Sequence, residues 1–348
     1  MIHDSKKSSI LLIYTGGTIG MKEDPSIQAL RPFDFSQILA EVPELRKFAY
    51  KIDSYTFDPL IDSSDVDPQN WITLAGLIEE RYDDYDGFVI LHGTDTMAYS
   101  ASALSFMIEG LTKPVIFTGS QLPIGVPRTD GKENLISAVE IAAAKDSEGH
   151  AAVPEVCICF DNVLMRGNRT TKINSDNFRA FRSENFPPLA EAGISIRYND
   201  TLILKPADWH KRPVFHKTLD TRVSILKIHP GITPQVAKGI LCGQESRAVI
   251  IETYGAGNAP SRGWFLDIVR EAASSGKILL NITQCIAGSV NMDIYATGKC
   301  LKEAGVINGY DSTTESALGK LFYLMGIFGE NDKVKLSLDL DLRGEISK

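Results

Sequence analysis

Along this chain, short runs of consecutive apolar residues alternate with stretches of helical length. Residues 10–14, 87–91 (GFVIL), 115–118 and 156–160 are apolar without alternation, the pattern of parallel strands covered on both faces. Between them the spacing predicts helices over 68–80, 100–109 and 131–144. The first opens after Asp67, a good N-cap, with Pro68 at the first helical position. The last puts Leu135, Val139, Ala142 and Ala143 on one face. From 199 to 221 the pattern breaks: two prolines, mixed charge and no helical period predict an interdomain connection. Strands are expected again at 223–228, 248–252 and 278–282, with helices at 261–273, 299–304 and 313–327. Strand alternating with helix means an α/β class. The expected domains are 1–198, a larger N-terminal one with a mainly parallel sheet, and 222–348, a smaller C-terminal one. In the tail, Val334, Leu336, Leu338, Leu340 and Leu342 occupy alternate positions, which taken alone favours a strand.

Composition narrows the class. Of 348 residues 43% are hydrophobic and 23% charged, which excludes disorder as the dominant state. The formal net charge of −8 argues against nucleic acid or an anionic membrane as the main partner. No apolar run approaches the ~20 residues that span a bilayer, and the stretch 10–14 behind Lys6 and Lys7 is too short for a signal-peptide core. The five cysteines include no CxxC pair, and Cys157 and Cys159 read as small hydrophobes inside VCICF. A reducing cytosol is the expected compartment. The Asn-x-Thr triplets at Asn168, Asn199 and Asn281 are then chance sequons. The six histidines show no ligand spacing such as HExxH, so no metal is expected, nor does any feature call for an organic cofactor.

Three segments carry candidate chemistry. Thr15-Gly16-Gly17-Thr18-Ile19-Gly20 follows the first strand, where open α/β sheets place their ligands. Its adjacent glycines permit close backbone approach, and Thr18 presents a hydroxyl; the plainer alternative is a glycine-rich turn. The glycine spacing fits neither a dinucleotide fingerprint nor a phosphate loop. His92-Gly93-Thr94-Asp95-Thr96 follows another buried strand and sets a hydroxyl beside a carboxylate; helix capping would explain one of its polar residues, and His92 reads as a structural hydrogen-bonder. Arg166-Gly167-Asn168-Arg169-Thr170-Thr171-Lys172 is, as a bare charge cluster, a solvated loop. It becomes functional only if Lys172 folds back beside Asp95, where a partly desolvated lysine assists a hydroxyl nucleophile. Together these groups point to acyl transfer.

At these residues the chain resembles a known family. Thr15–Ile19 and the run from Gly87 through His92-Gly93-Thr94-Asp95-Thr96-Met97 are similar to the two signatures of the bacterial-type L-asparaginases. The likeness continues through Asp62-Ser63-Ser64-Asp65, Gly119-Ser120-Gln121, 166–172, Tyr254-Gly255, Gly257-Asn258-Ala259-Pro260 and Thr283-Gln284-Cys285, and in detail is nearest the cytoplasmic type I enzymes. The resemblance implies a two-domain asparaginase-type fold and a dimer-based homotetramer. It implies Thr18 as nucleophile on the side-chain amide of L-asparagine, through a β-aspartyl enzyme. Thr94, Asp95 and Lys172 would relay protons and place water, and backbone N–H groups of the Thr94 loop would hold the oxyanion. Asp62, Ser63 and Ser64 would grip the substrate's α-groups with Asp95. Gly17, Gly93 and Ser120 would line the pocket, and Asn258 would come from a neighbouring subunit. For Asp62–Asp65 alone, helix capping before Pro68 is the simpler reading.

Two departures stand out. The loop 21–33, where many relatives carry a tyrosine acting on the nucleophile, has none; relatives without it use the tyrosine of the Y-A-T-G segment, here Tyr295. Some type I relatives bind a second asparagine through residues matching Thr171, Thr283 and Cys285 and through an arginine whose position is Glu252 here. An acidic side chain repels an α-carboxylate that arginine would bind in a fork, so weak or absent activation by asparagine is expected. For the tail, the resemblance implies a helix over 334–342. The rival readings are a non-catalytic asparagine-binding protein and a glutaminase-like subunit of a tRNA-dependent amidotransferase.

Overall fold

The structure, a computed structural model, describes residues 7–24, 29–32 and 40–348. The chain forms two compact units, residues up to 183 with 187–217, and 184–186 with 218–348.

The first unit is built on an eight-stranded sheet. Its strands are β1 (Ser9–Tyr14), β2 (Lys51–Thr56), β3 (Gly87–Leu91), β4 (Val115–Thr118), β5 (Val156–Phe160), β6 (Val163–Arg166), β7 (Ala190–Ala192) and β8 (Ile196–Tyr198). The spatial order is β8-β7-β6-β5-β4-β3-β1-β2. Strands β2, β1, β3, β4 and β5 are parallel, with Ile13 facing both Tyr55 and Ile90 in register. The remaining three run antiparallel, starting with the tight β5–β6 hairpin. Every residue of β3, β4 and β5 is buried, as unalternating apolar runs require. Helices α1 (Pro68–Arg81), α2 (Met97–Met107) and α3 (Gly131–Ala143) form the crossovers. Asp67 caps α1 through Gln69 N and Asn70 N, and Asn70 returns the bond to the Asp67 amide, a capping box.

Two expectations are corrected here. The stretch 199–221, expected as an interdomain connection with some extended structure, is divided: 199–217 belongs to the first unit and 218–221 to the second. Val214–Phe215 pairs with Ile108–Glu109, the expected end of α2, as a short antiparallel ribbon. The backbone at Leu202 and Leu204 is held by the buried Arg166–Glu155 pair, at 2.7 Å each. Side-chain-to-backbone bonds of this kind leave no periodic trace in sequence.

The second unit carries β9 (Val223–Lys227), β10 (Ala248–Thr253), β11 (Ile278–Thr283) and β12 (Ile307–Asn308), parallel and in chain order. Helices α4 (Pro234–Leu241), α5 (Gly263–Ser274), α6 (Ala296–Glu303), α7 (Thr314–Ile327) and α8 (Asn331–Leu338) complete it. Val249, Ile251 and Leu279 point into one core with Ala237, Leu241, Phe265, Val269 and Leu301. The intervening Ile250, Ile278 and Leu280 are buried too, so this sheet is also covered on both faces. The tail is helical, as the resemblance implied, but over 331–338 and not 334–342. Val334 and Leu338, one turn apart, are buried, whereas Leu336 is 74% exposed. The Lys320 ammonium donates to the carbonyls of Leu338 (2.9 Å) and Leu340 (2.5 Å) at the end of the helix. Among the described residues no helix is long and apolar enough to cross a membrane.

Candidate active site

In the first unit the strand order 2-1-3-4-5 reverses between β1 and β3. Crossovers leaving by opposite faces open a crevice at the carboxyl ends of such a pair, and two of the sequence signatures meet there. Thr15 ties the strands together, its N–H and Oγ1 donating to Leu91 O at 3.0 and 2.9 Å. Beyond it the loops touch through glycine. Gly17 has φ 92°, and a Cβ there would lie 2.5 Å from Gly93 Cα; a Cβ on Gly93 would lie 2.4 Å from Ser63 Oγ. No side chain fits at either point, so only glycine lets the three loops stack. Thr18 and Thr94 are the residues that follow these two glycines. Thr18 opens a short 3₁₀ turn, Thr18–Gly20, and its hydroxyl meets no partner among the described residues.

Lys172 reaches this crevice by a longer path. The β5–β6 hairpin leads into a turn, Gly167–Arg169, packed on α2. A Cβ on Gly167 would sit 3.0 Å from Ala101 Cβ. The chain then pairs Thr171–Lys172 with Phe181–Arg182. The Lys172 ammonium donates to Thr94 Oγ1 at 2.8 Å and to Asp95 Oδ1 at 2.7 Å. Its side chain is 17% exposed while that of Asp95 is 64% exposed, so the cation is largely withdrawn from water and its carboxylate partner faces outward. Thr94 Oγ1, accepting from Lys172, donates to Gln121 Oε1 at 3.3 Å. The Gln121 amide is oriented by Nε2 donating to Asn177 O (3.1 Å), and its backbone N–H is held by Asp130. Nothing local in the sequence marks Gln121 as functional, although it lies in the segment Gly119-Ser120-Gln121; Asp130 and Asn177 leave no signal.

Asp62 accepts from the N–H and the hydroxyl of Ser64, both at 2.9 Å. The backbone bond first, then the hydroxyl, holds its carboxyl below the ordinary carboxylate range. The Ser63 carbonyl receives Thr96 Oγ1 at 2.6 Å. Capping of α1 is done by Asp67, while Asp62 caps the short 3₁₀ turn Ser63–Asp65 through the Ser64 N–H. Ser120 is buried and donates to Leu122 O at 2.5 Å.

Behind the Thr94 loop, His92 is fully enclosed, and burial pushes its imidazole down to about 4. It is neutral at physiological pH. Nδ1 lies 2.7 Å from Gly93 O and Nε2 lies 3.0 Å from Ser100 Oγ, which also receives Trp71 Nε1 at 2.8 Å.

The other expected residues lie in the second unit, except Thr171, whose strand pairing was given above. Asn258 Oδ1 accepts from Thr297 Oγ1 at 2.9 Å, which joins its loop to the segment of Tyr295. Tyr295 precedes α6 and is 51% exposed. Thr283 Oγ1 accepts the Cys285 amide at 3.0 Å. Glu252 is buried, takes the Thr314 hydroxyl at 2.8 Å and pairs with Lys227 at 3.5 Å. In the loop 21–33, Met21–Asp24 and Ala29–Pro32 form an antiparallel pair; residues 25–28 and 33 lie outside the described residues.

Comparison with known proteins places both halves of the chain. The asparaginase N-terminal family model matches residues 9–204, and the glutaminase/asparaginase C-terminal domain model matches 222–336. L-asparaginase 1 of Escherichia coli is 45% identical, over 98% of this chain and 99% of its own. A 60 kDa lysophospholipase of Mus musculus is 39% identical over 97% of this chain, which spans 62% of that protein. The crystal structure of L-asparaginase I from Vibrio cholerae superposes with a TM-score of 0.89 at 41% identity, covering 99% of this chain and 100% of that one. With both domains matched in order and the signature loops converging on one crevice, the chain belongs to the asparaginase family.

Proposed function

We propose that this protein is a type I L-asparaginase, hydrolysing L-asparagine to L-aspartate and ammonia. The observation that carries the reading is the Lys172 ammonium bound to Thr94 Oγ1 at 2.8 Å and Asp95 at 2.7 Å, above the crevice that Thr18 borders. Thr18 Oγ attacks the side-chain amide carbon, the C=O electron pair moves onto oxygen, and backbone N–H of Thr94 stabilises that charge. Collapse expels ammonia, which takes up the proton lost by Thr18, and leaves a β-aspartyl ester. Water placed by Thr94 then adds to the ester carbon and gives a proton to Asp95, which the Lys172 ammonium holds in place; collapse breaks the bond to Thr18 Oγ, which takes a proton back, and releases L-aspartate. The assistance is needed because a free threonine hydroxyl is almost wholly un-ionised at neutral pH.

Asp62 and Ser64, already hydrogen-bonded to each other, are assigned to the α-ammonium and α-carboxylate, with Ser63, Gly17, Gly93 and Ser120 shaping the pocket. Tyr295 is assigned to the Thr18 hydroxyl. Asn258 is assigned to the active site of a second copy in a homodimer or homotetramer. Exposed Ile286 and Ile294, which share the Tyr295 loop, support an apolar contact there. A cytoplasmic setting fits five cysteines that are all free. The test is ammonia release from L-asparagine and L-glutamine by wild type, Thr18→Ala and Thr94→Val. Loss of turnover with retained fold supports the reading, and a fully active Thr18→Ala refutes it. Binding of asparagine without ammonia release would favour a sensor instead.

A further inference from the structure

The peptide between Gly93 and Thr94 is tied down on the side away from the crevice. His92 Nδ1 lies 2.7 Å from Gly93 O. A carbonyl only accepts, so Nδ1 carries the proton. Nε2 is then an acceptor for the Ser100 hydroxyl at 3.0 Å, and Ser100 Oγ receives the Trp71 indole N–H at 2.8 Å. Trp71 has only a donor to offer and the carbonyl only lone pairs, so the row of protons runs one way, from α1 through α2 to the loop after β3. Across a trans peptide C=O and N–H point in opposite directions. A carbonyl held inward by His92 therefore turns the Thr94 N–H outward, and that N–H meets no acceptor among the described residues.

We propose that His92 is a positioning residue for the oxyanion: its Nδ1–H fixes the Gly93–Thr94 peptide so that Thr94 N–H faces the substrate's amide oxygen. This rests on the mechanism given above. No proton passes through His92. It acts by orientation, and by polarising the peptide whose N–H then donates more strongly. Ser100 and Trp71 hold the tautomer. A histidine that merely filled the core would leave turnover and ground-state binding to change together, if at all.

The experiment uses the full-length protein with His92→Leu, His92→Asn and Ser100→Ala. The readouts are kcat and KM for L-asparagine, inhibition by L-aspartate, and inhibition by the β-aldehyde analogue of aspartate. Addition of Thr18 Oγ to that aldehyde, with its proton passing to solvent, places an oxyanion where the reaction does. Losing an oxyanion donor outright costs about 10²–10³ in turnover, and a misaimed one less. His92→Leu is expected to lower kcat about tenfold or more and to weaken the aldehyde by the same factor, with KM and aspartate binding within about twofold. His92→Asn, which keeps a side-chain N–H, should recover part of the loss, and Ser100→Ala should fall between. The inference is overturned by a folded His92→Leu with unchanged kcat, by equal losses of aldehyde and aspartate binding, or by His92→Asn no better than His92→Leu. If His92→Leu fails to fold, Ser100→Ala decides: kcat and aldehyde affinity must fall together. Thr18→Ala run alongside separates the levels. Its full activity sinks the mechanism and this inference with it; an inactive Thr18→Ala with unaffected His92 variants sinks only the inference.

Discussion

Both units hold parallel strands covered on two faces, yet their strand orders differ. In the first, the strand order reverses between β1 and β3, and the loops bearing Thr18, Asp62 and Thr94 stack where it does. In the second, β9 to β12 follow one another without reversal, and the ends of β9 and β10 are bridged by side chains. Gln284 Nε2 donates to Ile228 O at 2.6 Å and Glu252 O at 2.7 Å, and Glu252 takes the Thr314 hydroxyl at 2.8 Å. A strand-order reversal makes room for a ligand at the carboxyl ends of the strands.

The sharpest way to break this contrast is to remove polar groups at equivalent strand ends. Thr18→Ala and Thr94→Val in the first unit should each cost at least ~10³-fold in turnover with the fold intact. Thr283→Val in the second should change kcat by no more than about twofold. Steady-state ammonia release measures all three; comparable losses in both units would erase the distinction.

Each unit also hides an ion pair: Arg166–Glu155 at 2.6 Å in the first and Lys320–Glu345 at 2.6 Å in the second, every partner 6% exposed or less. Removing one partner of such a pair typically costs ~3–5 kcal/mol. Arg166→Met should therefore lower the denaturation midpoint of the first unit, and Glu345→Gln that of the second. Urea unfolding followed by circular dichroism shows whether the two transitions move separately or as one.

A smaller effect concerns acid stability. Arg222, and then Arg247, hold the Asp220 carboxyl of the second unit down to about 2 from 3.8. A depressed carboxylate stabilises the fold fully above its unfolded value and loses that contribution as pH falls through its folded one. The stability gap between wild type and Asp220→Asn should thus be constant above about pH 4 and close toward pH 2, measured by chemical denaturation across that range.

The smallest change expected is in the shape of the rate curve. With Glu252 engaged by Thr314 and Lys227, an α-carboxylate finds no positive fork there. The dependence of rate on asparagine should be hyperbolic in wild type and in Thr171→Ala alike. A sigmoid abolished by Thr171→Ala would show that regulation survives without the arginine.

Much of this is legible in the sequence. Unalternating runs gave the strands at 87–91, 115–118 and 156–160 with the observed bounds, because burial on both faces writes itself into consecutive residues. Asp67 and Pro68 announced α1 by local chemistry. The edge strand Lys51–Thr56 did not show, being mostly exposed, and α4 is only 8 residues long with two of them buried. In the tail the alternation alone favoured a strand while the resemblance implied a helix; the helical spacing of Val334 and Leu338 is the one the core uses.

By itself, then, the sequence determined the α/β class, the strands of the core and the chemical inventory of Thr18, Thr94, Asp95 and Lys172, since each depends on neighbouring residues alone. Only the tertiary structure decided that Lys172 lies over Thr94, 78 positions away, that Gln121 receives the threonine's proton, and that His92 grips the peptide behind it. Those are contacts between crossover units, fixed by strand order and by glycines that let loops touch, and no local pattern of residues encodes them.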